Sequence, residues 1–207
     1  MSILIAGLTS DKKDYCLDIF LRQITSFTYP NYDTFLVDNS KNPLHLDKIW
    51  NWGIDATRVE PRGTAQEYLC ESQNIIRDKV LYEGYEWLFL LDSDVFMPLN
   101  ILDYLMVKPS SVHSFVYFID PVLCEVGQGT NETIRMEFDV NGTGLGCILI
   151  HRDILKEVTF RTEDDLYSDY FFFQDLKQLG VKPVIDTNII PAHYRSEHLL
   201  TDLKVLQ

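Results

Sequence analysis

The feature that most constrains this chain is the run Trp87-Leu-Phe-Leu-Leu91 followed by Asp92-Ser93-Asp94. Five consecutive apolar residues without polar alternation describe a strand covered on both faces, as in the middle of a parallel sheet. Two acids then stand two apart where such a strand leaves the sheet, and ligands of open α/β sheets bind at the carboxyl ends of strands. Carboxylates there are costly to desolvate unless a cation meets them. A divalent metal bridging to phosphate oxygens meets that requirement, because hard cations take carboxylate ligands. The plainer reading makes Asp92 a helix cap and Asp94 a solvated acid, and on this motif alone the two readings balance.

The surrounding text alternates strand and helix patterns. Residues 3–8 form a short apolar segment that turns at Gly7-Leu-Thr9-Ser10. Cys16, Phe20, Ile24 and Phe27 then recur at helical spacing until Tyr29-Pro30. Residues 34–37 predict a second strand ending at Asp38. Residues 41–57, with Trp50 and Trp52, show no clear period and are expected to be loop, followed by a brief strand at 58–60. Thr64-Ala-Gln-Glu67 is a capping box opening a helix that Gly84 ends. After the central strand come a short helix at 98–106, a strand at 114–119 and a polar, aperiodic stretch at 120–139, which at that length is expected to be mobile without ligand and to help enclose the acceptor. The Gly-rich passage 142–146 precedes a strand at 148–150 and predicts close backbone approach to a ligand. A last helix begins at 167–170, with Phe172, Leu176 and Leu179 on one face, before extended segments at 181–185 and 188–190. Alternation of this kind implies an α/β domain with a mainly parallel sheet.

At 207 residues the chain suits one domain. Its 18 basic and 31 acidic residues give a formal charge of −13, which repels nucleic acid. A small phosphorylated ligand is admissible if a cation offsets the local field. No apolar run reaches the roughly 20 residues of a membrane span, and the opening lacks the pattern of a signal peptide, so a cytoplasmic location is expected. Cys16, Cys70, Cys124 and Cys147 have no metal-ligand spacing and are expected to be buried thiols.

Asp38 after the second strand, Leu-Leu-Asp-Ser-Asp-Val-Phe-Met-Pro after the central one, the Gly-rich passage, Ser-Asp-Tyr-Phe-Phe, Leu-Gly-Val-Lys-Pro-Val-Ile-Asp and Pro-Ala-His stand in an informative order. This order resembles the GT-A glycosyltransferases of the family 2-like type. The resemblance covers most of the chain and implies a GT-A-like, Rossmann-like single domain, with a nucleotide-binding half (1–97) and an acceptor and catalytic half (98–207). It further implies transfer of one sugar from a nucleoside diphosphate sugar, a UDP-sugar favoured, to a glycan or other hydroxyl acceptor with inversion. Asp94 and His193 would hold Mn2+ (or Mg2+), with Asp92 contacting ribose or a metal-bound water. Thr9, Asp38, Asn74, Ser93 and Gly144 would contact the donor. Asp169 falls at the position of the catalytic base. The family often carries a basic residue before the Asn of its second helix, whereas this chain has Gln73 before Asn74, so Arg62 or Arg77 is the expected replacement.

The chemistry required by such a transfer agrees with these residue types. A Lewis-acid metal stabilises a diphosphate leaving group without proton transfer, and a base must take the acceptor proton. Asp169 stands in a first helical turn, where a carboxylate is favourably placed against the helix dipole. The other histidines, His45, His113, His151 and His198, are not framed by candidate residues. Two rival readings are a haloacid-dehalogenase-type phosphohydrolase, whose Asp-x-Asp normally opens the chain, and a non-catalytic domain that binds a nucleotide sugar or glycan.

Overall fold

The computed structural model describes residues 1–107, 109–116, 144–164 and 166–194. Its strands are β1 (Ile3–Thr9), β2 (Tyr32–Asp38), β3 (Asp55–Arg58), β4 (Trp87–Leu91), β5 (Val95–Phe96), β6 (Val112–Phe115), β7 (Cys147–His151), β8 (Val184–Asp186) and β9 (Ala192–His193). Its helices are α1 (Leu17–Ile24), α2 (Leu44–Asn51), α3 (Ala65–Glu83), α4 (Ile101–Val107), α5 (Arg152–Glu157) and α6 (Ser168–Gln178). Seven strands form one sheet in the order β3-β2-β1-β4-β7-β6-β8, and β5 pairs with β9 in a small second sheet. Only β7 runs antiparallel to its neighbours in the large sheet. Both halves of the chain contribute strands to it.

The apolar run of β4 occupies the middle of this sheet, and its two faces look into separate cores. Phe89 and Leu91 join Ile3, Ile5, Phe20 and Ile49 on one side. Leu88 and Leu90 join Leu4, Ile76, Leu155 and Phe172 on the other. Coverage on both faces is the physical reason that the run lacks alternation. Each fully buried side chain here contributes about 1.5–3 kcal/mol by transfer from water, which fixes the strand end that carries Asp92. Gly7 is needed for this packing: a Cβ there would overlap the Leu91 carbonyl oxygen, so β1 and β4 approach closely just before the two acids.

Helix α3 starts and stops as its sequence predicts. The Thr64 side chain accepts from the Glu67 N–H, Glu67 returns a bond to the Thr64 N–H, and Gly84 takes the left-handed conformation at φ 81°. Elsewhere the expectations need correcting. Residues 44–51 are helical, because His45, Leu46 and Ile49 turn inward at helical spacing, while Trp50 and Trp52 remain substantially exposed. The third strand begins at Asp55, in register with Phe35. A short helix, α5, follows β7 directly. Leu179 is exposed and lies just past the end of α6. The final strand is at 192–193, with only bends at 188–189. The stretch 120–139, together with Cys124 and His198, lies outside the described residues. Cys16, Cys70 and Cys147 are buried free thiols. No described helix is long and apolar enough to cross a membrane.

Candidate functional site

The carboxyl ends of β1, β2 and β4 open into one cleft of about 200 Å³. Its walls include Thr9, Lys12, Lys13, Asn39, Lys41, Tyr68, Asp92, Ser93 and Asp94. Three lysines and three acids, Asp11, Asp92 and Asp94, thus line the same space. On a chain of charge −13 this concentration of lysine is local and directed.

The acidic turn is fixed from several sides. The Asp92 N–H donates to the Gly146 carbonyl at 2.8 Å, and the Val95 N–H donates to the Asp92 carbonyl at 3.0 Å. From α1, the buried Gln23 amide donates to the Val95 carbonyl at 3.3 Å and accepts from the Met97 N–H at 2.7 Å. The Cys16 thiol donates to the Ser93 carbonyl at 3.3 Å. Burial, with the Asp94 charge adding to it, pushes that thiol up to about 12, so it is no nucleophile. On the far side, Val95 pairs with His193, and the Tyr194 N–H donates to the Asp94 carbonyl at 2.9 Å.

That strand pairing brings the His193 Nε2 to 3.2 Å from Asp94 Oδ2. The Lys13 ammonium donates to the same Oδ2. Burial would raise the Asp94 carboxyl, but bonds from His193 and Lys13 outweigh it and hold the group below the usual carboxylate range. Asp92 behaves oppositely. Burial raises it, the neighbouring Asp94 charge raises it further, and Lys13 and His193 offset only part, leaving it at about 6. Two carboxylates thus sit two residues apart, one firmly ionised and one easily protonated until further positive charge arrives.

The donor atoms of Asp94 and His193 fit a divalent ion, since two adjacent ligands at octahedral bond lengths stand about 3 Å apart. Among the described residues no group of three or more His, Cys, Asp or Glu side chains could hold a metal by itself. An ion held here would take the rest of its coordination from water and from the ligand, as ions serving phosphate sites do.

Other residues expected at the site are not among those that line the cleft. Asp38 is fully buried, where its Oδ1 accepts from the Ser40 N–H at 3.0 Å, from the Ser40 hydroxyl and from His45 Nδ1 at 3.0 Å. Ser40 Oγ in turn accepts from the Asp11 N–H at 2.7 Å. Asp38 therefore braces the turn that presents Lys12 and Lys13, and the adjacent Asn39 faces the cleft. The Asn74 amide donates to the Phe160 carbonyl at 2.8 Å and accepts its N–H at 3.0 Å, tying α3 to the segment after α5. Gly144 precedes Leu145 and Gly146, whose backbone supports Asp92. Asp169 is half-buried in the first turn of α6 and is not among the cleft-lining residues. Its charge reaches Cys70 on α3, the helix whose Tyr68 and Leu69 do line the cleft.

The replacement cations also differ from expectation. Arg62 is paired with Glu60 at 2.5 Å, and Arg77 Nε donates to the Leu155 and Val158 carbonyls at 2.8 and 2.6 Å, closing the end of α5. Neither lines the cleft. Lys12, Lys13 and Lys41 do, and sequence reasoning passed over all three. Three further histidines among the described residues prove to be paired with acids: His45 with Asp38 and Asp14, His113 with Asp186, and His151 with Asp153.

No family model matches the chain, and no curated protein matches it by sequence. Solved structures do resemble it. Residues 1–349 of S. aureus TarS, in complex with UDP-GlcNAc, superpose with a TM-score of 0.67 at 12% identity, over 92% of this chain and 57% of that one. The mannosyltransferase PcManGT of Pyrobaculum calidifontis, in complex with GDP-Man and Mn2+, gives 0.62 at 14% identity, over 91% and 55%. A protein taken to be a nucleotide-diphospho-sugar transferase, from Desulfovibrio desulfuricans G20, gives 0.56 at 10% identity, over 97% and 87%. The chain spans little more than half the length of the first two. At these identities the likeness shows the fold, which is GT-A-like: a mainly parallel central sheet flanked by helices.

Proposed function

We propose that this chain is a glycosyltransferase that moves one sugar from a nucleoside diphosphate sugar, a UDP-sugar favoured, to a hydroxyl acceptor, with a divalent metal bound between Asp94 and His193. The observation that carries the reading is the 3.2 Å approach of His193 Nε2 to Asp94 Oδ2, with Asp94 in the wall of a cleft also lined by Lys12, Lys13 and Lys41. The GT-A-like fold supports it. Manganese, or magnesium in its place, would supply Lewis-acid stabilisation of the diphosphate leaving group. Asp94 contributes the permanent negative charge and His193 the nitrogen donor, which favours manganese over magnesium. Asp92, at the floor of the cleft, is placed to accept from a ribose hydroxyl or a metal-bound water. The lysines meet the phosphate charge, and Thr9 and Asn39 stand beside the base and ribose end. Asp169 takes the acceptor proton in this reading, with inversion as the outcome, and α6 and the exposed Tyr167 and Tyr170 form the acceptor side.

Nucleotide release tests the proposal. With Mn2+ present, one sugar nucleotide from a panel of UDP- and GDP-sugars is expected to release its nucleotide slowly in water and faster with a glycan acceptor. Release of phosphate from simple monoesters instead would indicate a phosphohydrolase, and binding without any release would indicate a recognition domain.

A further inference from the structure

Lys13 stands on the 3-10 turn at 11–13, where its N–H donates to the Ser10 carbonyl at 2.8 Å. Its ammonium lies on Asp94 Oδ2, the same oxygen that faces His193 Nε2 at 3.2 Å. The Asp94 side chain is 3% exposed and that of Lys13 is 34% exposed, so the acid is fixed while the lysine retains a path into the cleft. A dication bound to Oδ2 would stand within a few ångströms of this ammonium, in a partly desolvated site where like charges repel strongly. Both cannot hold Oδ2. Beyond the acids of the cleft wall, the negative charge that would receive the ammonium is that of the proposed diphosphate, lying among Lys12, Lys13 and Lys41.

We propose that Lys13 is a positioning residue that exchanges partners: it neutralises Asp94 in the empty site and transfers to the diphosphate when metal and nucleotide enter together. This rests on the metal–diphosphate reading given above. Its consequence is a coupling between two ligands. Metal alone must displace Lys13 and leave it without its acid. Diphosphate alone draws Lys13 away and leaves Asp94 buried with only His193. Together each removes the obstacle to the other, and linkage requires the enhancement to be equal in both directions. A static phosphate ligand would not behave this way, since its removal would weaken diphosphate binding and leave the affinity for metal alone unchanged.

Calorimetry on the full chain separates these cases, using Mn2+ alone, UDP and GDP alone, and Mn2+ with each nucleotide. Lys13→Met, which keeps the length of the side chain and removes its charge, is expected to bind Mn2+ alone about tenfold more tightly than the parent. The enhancement of Mn2+ affinity by nucleotide should fall by about the same factor, within the usual 5- to 150-fold span of coupled sites. Lys13→Arg, still cationic, should retain the enhancement. If the parent shows the enhancement but Lys13→Met binds Mn2+ alone no better, the partner exchange is overturned while the metal–diphosphate reading stands. If the parent shows no enhancement with either nucleotide, both fall.

Discussion

His193 Nε2 stands 3.2 Å from Asp94 Oδ2 although 99 residues separate them in sequence. The β5–β9 pairing makes the contact, setting Val95 opposite His193. Two short strands far apart in the chain therefore determine whether the proposed metal ligands meet at all, and the proposed chemistry depends on their register.

The first prediction concerns these ligands. UDP or GDP is expected to bind tightly only with divalent metal, and a chelator should remove most of the affinity. Asp94→Ala should abolish the metal effect, because it removes the carboxylate that His193 and Lys13 hold below its usual range. His193→Ala and Asp92→Ala should weaken the effect less. Calorimetry with and without chelator decides, and equal affinity in both conditions would sink the metal bridge.

Asn74 supplies a second test, because its position in the helix suggested a ligand contact and its geometry gives it another role. Its amide satisfies both the N–H and the carbonyl of Phe160. Asn74→Ala leaves two partly buried backbone groups unpaired, at a cost of about 1–3 kcal/mol for each group that water does not reach. Urea denaturation should show the loss, with affinity for UDP and metal unchanged in the folded protein. A variant of parental stability that fails to bind nucleotide would return Asn74 to the ligand.

The Asp186 cluster predicts an acid limb of stability. Burial alone would raise this carboxyl, but hydrogen bonds from His113, Tyr104 and the Asn188 N–H more than reverse that and bring it to about 2. Tyr104 donates at 2.6 Å and the Asn188 N–H at 2.8 Å. The folded value lies below the unfolded one of about 3.9. The contribution is therefore complete above roughly pH 4 and is lost as pH falls toward about 2. Its size is on the order of 2–3 kcal/mol. Asp186→Asn should be less stable at neutral pH, with the gap to the parent closing as pH drops through that window. Parallel stability curves from pH 7 to pH 2.5 would contradict this.

The sequence made legible what local patterns control. The unalternating run of β4 announced a strand covered on both faces, and Thr64, Glu67 and Gly84 marked both ends of α3. Asp94 and His193 were legible through their order along the chain. Lys13 and Lys41 were not, because neither belongs to a pattern. Each becomes a cleft residue only when the turn after β1 and the end of β2 lie side by side. Asp38 looked like a ligand because it ends a strand. Its neighbours Ser40 and His45, within seven residues, bond its Oδ1, while its Oδ2 is buried without a hydrogen-bond partner among the described residues. Helix α2 was hidden because its polar and exposed aromatic residues outnumber the three that turn inward.

The last prediction separates binding from chemistry at Asp169. The residue is half-buried at the start of α6, beside Cys70, and outside the wall that carries the lysines and Asp94. If it takes the acceptor proton, its carboxylate acts in the transition state and contributes little to donor affinity. Asp169→Asn keeps the shape and removes the base. The variant should bind metal and nucleoside diphosphate nearly as the parent does, yet lose transfer by about the 10²- to 10⁴-fold typical of general-base removal. Binding is read by calorimetry and transfer by nucleotide release with acceptor. Loss of both together would make Asp169 a structural residue or a donor ligand. Full activity with intact binding would move the base elsewhere, and Asp164, exposed a few residues upstream at a positive φ of 52°, would be the next position to substitute.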